Sequence, residues 1–177
     1  MPSPALLVVS GLPASGKTHL GSRLARELGG LGVTGSNQSG EALKRLVDGA
    51  MERWGRIDVL VNSAGHGPRA DILDLTDQDW HRGIDTYFLN AVRPTRLVTP
   101  IMVVQGGGAI INVGSILSDA PMPVQGVYSA SKHAVKGFTN ALRMELIRER
   151  SPIALSLVKP SAIDTPYNRH ARNLTGQ

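Results

Sequence analysis

The sequence predicts an α/β fold built on a doubly wound parallel sheet, and three observations predict it. Short, unbroken apolar runs recur along the chain at Leu6–Val9, Ile57–Val61, Ala109–Val113 and Ile153–Val158. A strand buried on both faces of a parallel sheet needs that unbroken apolar character. Between the runs lie amphipathic stretches of helical spacing, and strands alternating with helices imply a parallel sheet with helices on both faces. Many of the 20 glycines sit beside the apolar runs, as tight strand-to-helix turns require. A chain of 177 residues is enough for one domain with a real core, so residues 1–177 are expected to form a single unit.

In chain order, Leu6–Val9 reads as the first strand and stops at Ser10-Gly11. Lys17 to Leu28 has Leu20, Leu24 and Leu28 on one helical face, and Gly29-Gly30 ends it. Leu31 to Thr34 suits a short strand. Glu41 to Trp54 is a second amphipathic helix, with Leu43, Leu46, Val47 and Ala50 on one stripe. Ile57–Val61 is a buried strand stopped by Asn62-Ser-Ala-Gly65, and a loop with Gly67-Pro68 follows. Thr76 or Asp77 can cap a long helix running toward Met102, and Pro94 inside it should kink or interrupt it. After the loop Gly106-Gly-Gly108, the strand Ala109–Val113 ends at Gly114-Ser115. Val127 to Ile147 is a long helix with Ala130, Ala134, Phe138, Ala141 and Leu142 on one face. Ile153–Val158 is the last clear strand, closed by Lys159-Pro160, and a polar tail begins at Pro166.

Composition narrows the function classes. Hydrophobic residues are 41% and charged residues 19%, which fits a globular protein and not a disordered one. The absence of cysteine excludes disulfides, thiolate metal sites and cysteine nucleophiles. The five histidines are scattered without ligand spacing, so no metal site is expected. The net charge of +5 comes without a basic cluster interleaved with aromatics, which argues against nucleic-acid binding. The opening apolar run is too short for a signal peptide or a membrane span, so a soluble, cytoplasmic protein with no membrane partner is expected.

The chemistry concentrates at Tyr128-Ser-Ala-Ser-Lys132. A free tyrosine titrates at about pH 10 and is a poor base at neutral pH. A lysine four residues later on a helix lies on the same face one turn away, and its charge favours a phenolate. Such a pair can exchange a proton with an alcohol or a carbonyl. Ser115 ends a strand upstream, where the carboxyl ends of an open sheet form the ligand crevice, and its hydroxyl can hold a substrate oxygen.

Over residues 33–170 the sequence resembles the short-chain dehydrogenase/reductase family. Gly55-Arg-Ile-Asp-Val-Leu-Val-Asn-Ser-Ala-Gly65 is similar to the family's fourth-strand motif NNAG, with Ser63 for the second Asn. Ile111-Asn-Val-Gly-Ser115 resembles the strand bearing its serine, and Tyr128 to Lys132 matches its YxxxK motif. Lys159-Pro-Ser-Ala-Ile-Asp-Thr165 resembles its PG-to-Thr segment, with Ser161 for Gly. The resemblance implies a Rossmann-like fold and hydride transfer between NAD or NADP and a small-molecule carbonyl or alcohol. Tyr128 would be the acid/base, Lys132 would assist it and bind the nicotinamide ribose, and Ser115 would orient the substrate carbonyl. Asn62, Ala64 and Gly65 would run beside the cofactor, and Ile163 and Thr165 would contact the nicotinamide carboxamide. The family's further catalytic Asn lies seven residues after the Trp that Trp80 matches. That position is Tyr87 here, and Asn90, one turn later, is the candidate substitute. Homo-oligomers through the long helices, including the one carrying Tyr128, are common in the family.

The first 30 residues are different. Gly11-Leu-Pro-Ala-Ser-Gly-Lys-Thr18 is a full G-x-x-x-x-G-K-[ST] match placed between a strand and a helix. This P-loop resembles small kinases, in which Gly11 and Gly16 would shape a phosphate cradle, Lys17 would reach terminal phosphates and Thr18 would hold magnesium. Equally, a glycine-rich turn at a helix start holds any pyrophosphate, including that of a dinucleotide. A phosphotransferase also needs an apolar strand ending in an acid, whereas these strands lead to Asn62, Ser115 and Lys159. ATP with magnesium is therefore the alternative cofactor, and an inactive, shortened family member is the third reading. The family's second strand and the residue that separates NAD from NADP are missing between Leu28 and Val33, and its last helix and strand are missing after Thr165. The sheet is accordingly expected to be incomplete, and NAD is not distinguished from NADP.

Overall fold

The computed structural model describes residues 40–63, 65 and 69–161, together with the backbone of two strands, β1 (Ala5–Val9) and β2 (Leu31–Gly35). The P-loop residues, the helix expected at Lys17–Leu28, the Gly67-Pro68 loop and the tail lie outside the described residues, as do Ala64, Ile163 and Thr165.

Helix α1 (Gly40–Trp54) follows β2, and β3 (Val59–Asn62) follows α1. Helix α2 (Asp77–Ile84) passes through a π-helical turn, Asp85–Leu89, into helix α3 (Asn90–Val104). Strand β4 (Gly108–Val113), helix α4 (Gly126–Arg148) and strand β5 (Ile153–Val158) complete the order. All pairings are parallel, and the sheet order is β2-β1-β3-β4-β5. The order reverses at β1, which is the mark of a doubly wound sheet and sets a crevice beyond the carboxyl ends of β1 and β3. It corresponds to the Rossmann order 3-2-1-4-5-6 with the outermost strand beside strand 2 left out. The segment expected to be short of a strand therefore closes up: β2 pairs directly with β1, from Ala5 opposite Leu31 to Val9 opposite Gly35.

The main core lies between one sheet face and three helices. Leu43, Val47 and Ala50 of α1, Leu60 of β3, Val98 and Met102 of α3, Ile110 of β4 and Leu146 of α4 form one buried cluster. Leu60 and Ile110 are register partners, so their side chains share a face. Val61, packed with Val59, Ile111 and Val113, lines the opposite face. Asn62 and Asn112, two residues after Leu60 and Ile110, are placed by the same alternation toward α3 and α4.

Two expectations need correction. The long helix does start at Thr76, whose hydroxyl accepts from the Asp79 N–H while Asp79 Oδ2 accepts from the Thr76 N–H. Its interruption, however, falls upstream of Pro94, at Asp85–Leu89, and the helix then continues through Pro94 and Pro100. Pro94 cannot bond the Asn90 carbonyl and crowds the preceding turn; a wider turn just before it relieves that crowding. The second correction concerns α4. Its buried face carries Val127, Ser131, Lys132, Val135, Thr139 and Leu146, whereas Ala130 and Ala141 are exposed and Ala134, Phe138 and Leu142 half-buried. Of the hydroxyls on the inner face, Thr139 bonds within its own helix, its Oγ1 donating to the Val135 carbonyl at 2.7 Å. Among the described residues, no helix is long and apolar enough to cross a membrane.

Candidate active site

The site sits where β4 ends and α4 begins. Residues of β4 must be apolar to fill the sheet, yet Asn112 is fully buried in it. A buried amide is tolerated only when bonded. Asn112 Oδ1 accepts from Asn62 Nδ2 at 2.8 Å, and Asn112 Nδ2 donates to Thr139 Oγ1 at 2.9 Å. Asn62 Nδ2 also donates to Thr95 Oγ1 at 3.0 Å and to the Ala91 carbonyl at 3.3 Å. These bonds strap the carboxyl ends of β3 and β4 to α3 and α4. The Asn62 side chain is thus committed to the interior, which leaves its backbone for the expected place beside a cofactor. Asn112, Thr95 and Thr139 escaped the sequence reading, although an amide inside an apolar strand was their signal.

Ser115 follows β4 and is nearly buried. It opens a 3-10 turn, Ile116–Ser118, with its Oγ accepting from the Leu117 N–H at 3.1 Å. Ser118 Oγ accepts in turn from the Ser115 N–H at 3.1 Å. With one lone pair of Ser115 Oγ so engaged, its own proton remains for an outside acceptor. Gly114 ties this turn to β5 through its N–H on the Val158 carbonyl, and Ile116 N–H reaches the Pro160 carbonyl.

On α4, Lys132 is only 5% exposed. Its ammonium donates to the Val113 carbonyl at 2.7 Å and stands 5.6 Å from the centre of the Tyr128 ring. The i, i+4 spacing thus brings Tyr128 and Lys132 together, and Lys132 links both to the strand end that leads into Ser115. Tyr128 is half-buried. Its other neighbour is Tyr87 from the π-helical turn, whose ring meets it edge-on at 4.9 Å and 83°. Tyr87 is 4% exposed. Asn90 is also buried, at the start of α3, but the ring contact to Tyr128 comes from Tyr87. Gly65, after β3, faces the same ring: a Cβ there would lie 2.7 Å from Tyr87 Cδ1. Gly83 lets α2 approach α4, since a Cβ on it would lie 2.3 Å from Val127 Cγ2.

A carboxylate clasp braces the rim. Asp119, just past the 3-10 turn, binds Lys136 of α4 through Oδ1 and Lys159 beyond β5 through Oδ2, the latter at 2.6 Å. The hydrogen bond from Lys136, then that from Lys159, lowers the Asp119 pKa to about 2 from the usual 3.8. A depressed carboxylate stabilises the fold above its unfolded pKa and loses that contribution as pH falls through the folded value. Melting curves from pH 7 to pH 2 should therefore show Asp119→Asn below the parent protein at neutral pH, the two converging between about pH 4 and pH 2. A constant gap across that window would show that the clasp is not held by charge.

Of the expected site residues, the structure brings Tyr128 and Lys132 together at the end of β4 and places Ser115, Asn62, Gly65 and Asn90 as described. Gly11, Gly16, Lys17, Thr18, Ala64, Ile163 and Thr165 lie outside the described residues. Among the described residues there is no cluster of His, Cys, Asp and Glu fit to hold a metal ion.

Comparison with known proteins sets this geometry in a family. The chain is 37% identical over 134 residues to the uncharacterized oxidoreductase YxnA of Bacillus subtilis, covering 75% of this chain and 38% of that protein. It is 39% identical over 128 residues to the uncharacterized oxidoreductase YohF of Escherichia coli, covering 72% and 48%. The chain thus spans about half or less of the length of these curated relatives. A short chain dehydrogenase/reductase from Burkholderia phymatum, solved in complex with NAD, superposes with a TM-score of 0.76 at 23% identity, covering 94% of this chain and 69% of that one, a likeness of fold. The family model of the short chain dehydrogenases matches residues 17–175, and the chain belongs to that family.

Proposed function

We propose that this chain carries the catalytic part of an NAD(P)-dependent oxidoreductase acting on a small-molecule carbonyl or alcohol. The observation that carries the reading is the Tyr128–Lys132 pair, with Lys132 bonded to the Val113 carbonyl two residues before Ser115. The residues present suit a dinucleotide. The sheet order reverses at β1, where doubly wound sheets take their ligands, and Asn62 and Gly65 follow at the carboxyl end of the neighbouring strand β3. NAD or NADP, held along Gly65, Asn62 and Lys132, would supply or accept the hydride. In the reducing direction, the Ser115 hydroxyl donates a hydrogen bond to the substrate oxygen. The Tyr128 phenol gives that oxygen its proton, and the Lys132 ammonium stabilises the charge left on the ring. Asn90, Ala64, Ile163 and Thr165 complete the proposed site on the strength of the family resemblance. Self-association through α3 and α4, whose outer faces expose Leu97, Val104, Met144 and Ile147, belongs to the same proposal.

The Gly11–Thr18 motif follows β1, the strand at which the sheet order reverses, so the same reading makes Lys17 a ligand of the dinucleotide pyrophosphate. Thermal-shift titration tests this: NADH or NADPH at a hundred times its Kd stabilises by about 2.7 kcal/mol, a shift of several degrees. Lys17→Ala should lose most of that shift. A shift with Mg-ATP and none with either dinucleotide would replace the proposal by a phosphate-transfer reading. No shift with any of them would favour an inactive chain.

A further inference from the structure

We propose that Tyr87 is a positioning residue for Tyr128, acting through its ring; this rests on the oxidoreductase reading above. The π-helical turn Asp85–Leu89 inserts an extra residue into the helical register just where Tyr87 occurs. The turn delivers a bulky ring to the interior, where it is 4% exposed. One side of that ring lies against Gly65, and the fit is tight, because a Cβ on Gly65 would come within 2.8 Å of both Tyr87 Cδ1 and Cε1. The ring also meets Tyr128 edge-on at 4.9 Å and 83°. A single side chain therefore spans the turn after β3, on the proposed cofactor side, and the phenol on α4.

Edge-to-face contacts between aromatic rings are directional as well as attractive. Tyr128 has one such partner, the Tyr87 ring at 4.9 Å, and beside it the Lys132 ammonium at 5.6 Å from the ring centre. The asparagine expected at position 87 could do neither part of this, since it is too short to bridge Gly65 and Tyr128 and has no ring to orient. The competing view makes Tyr87 a space-filler, for which any apolar side chain of similar bulk would serve.

The full chain with Tyr87→Phe and Tyr87→Leu separates the two. With ring-labelled tyrosine, NMR signals of Tyr128, assigned by their loss in Tyr128→Phe, should stay near their parent positions in Tyr87→Phe and move in Tyr87→Leu. With NADPH and 2,3-butanedione as the probe, kcat should fall about threefold to tenfold in Tyr87→Leu and less than twofold in Tyr87→Phe, with KM for the diketone little changed. Should Tyr87→Leu fail to fold, Gly65→Ala presses on the same ring and should move the Tyr128 signals likewise. Unmoved Tyr128 signals in a folded Tyr87→Leu or Gly65→Ala protein, or equal kcat for Leu and Phe, would overturn the proposal. If the parent protein reduces no carbonyl, the oxidoreductase reading fails on its own, and the NMR signals still decide whether Tyr87 sets the Tyr128 ring.

Discussion

Replacing Tyr128 by Phe should lower carbonyl reduction by a factor of about 100 to 10,000, the range that a positioned proton donor contributes. The substitution removes one oxygen and leaves the ring. The edge-on contact with Tyr87 and the approach of Lys132 both engage that ring, so both persist. Melting temperature should therefore stay within about 2 °C, because the ring packing is kept and no described hydrogen bond of the Tyr128 hydroxyl is lost. Dinucleotide binding, read as a thermal shift, should be nearly unchanged, since no described hydrogen bond that holds Lys132 or Ser115 in place passes through the Tyr128 oxygen. Rates followed by nicotinamide absorbance would settle the matter. A variant retaining a tenth or more of the parent rate would remove Tyr128 from the acid/base role and leave the fold assignment standing.

Why some of this architecture can be read from the sequence and some cannot has a physical basis in particular residues. Tyr128 and Lys132 are legible because helical geometry fixes what lies one turn apart. The strand ending at Ser115 is legible because a parallel strand is apolar on both faces and must stop at a turn. The inner face of α4 is misread because burial there is only partly hydrophobic. Ser131 and Thr139 are inside, and Thr139 bonds both its own helix and Asn112. The apolar stripe then lies at the margin of the buried face, with Leu142 against the core and Ala130 and Ala141 exposed. The contact of Tyr87 with Tyr128 is not legible for another reason. Its place depends on a π-helical turn, and a period of 3.6 residues carries no sign of an added one. The Asp119 clasp joins residues 17 and 40 positions apart in sequence, so only the closed sheet reveals it.

Lys132→Met should separate catalysis from folding most sharply, because its effect on the fold is offset and its effect on the chemistry is not. A lysine 5% exposed keeps an ammonium out of water, which costs several kcal/mol even after relaxation. Part of that cost is offset by the 2.7 Å bond to the Val113 carbonyl and by the approach to the Tyr128 ring. Methionine follows the same path with an unbranched apolar chain. It relieves the buried charge and sacrifices the carbonyl bond, a loss of about 1 to 3 kcal/mol for a buried acceptor left without its donor. The two terms are of similar size, so stability should fall by no more than about 1 kcal/mol and can rise. Activity has no such compensation. Without the ammonium, nothing described beside the ring stabilises the charge left when the proton departs, and kcat should drop at least about 100-fold. Denaturant melts and steady-state rates on one preparation test both halves. A variant that loses several kcal/mol would make Lys132 a structural anchor of β4, and one that keeps its rate would detach it from the chemistry. Near-parent stability with a collapsed rate is what a charge retained against its own folding cost predicts.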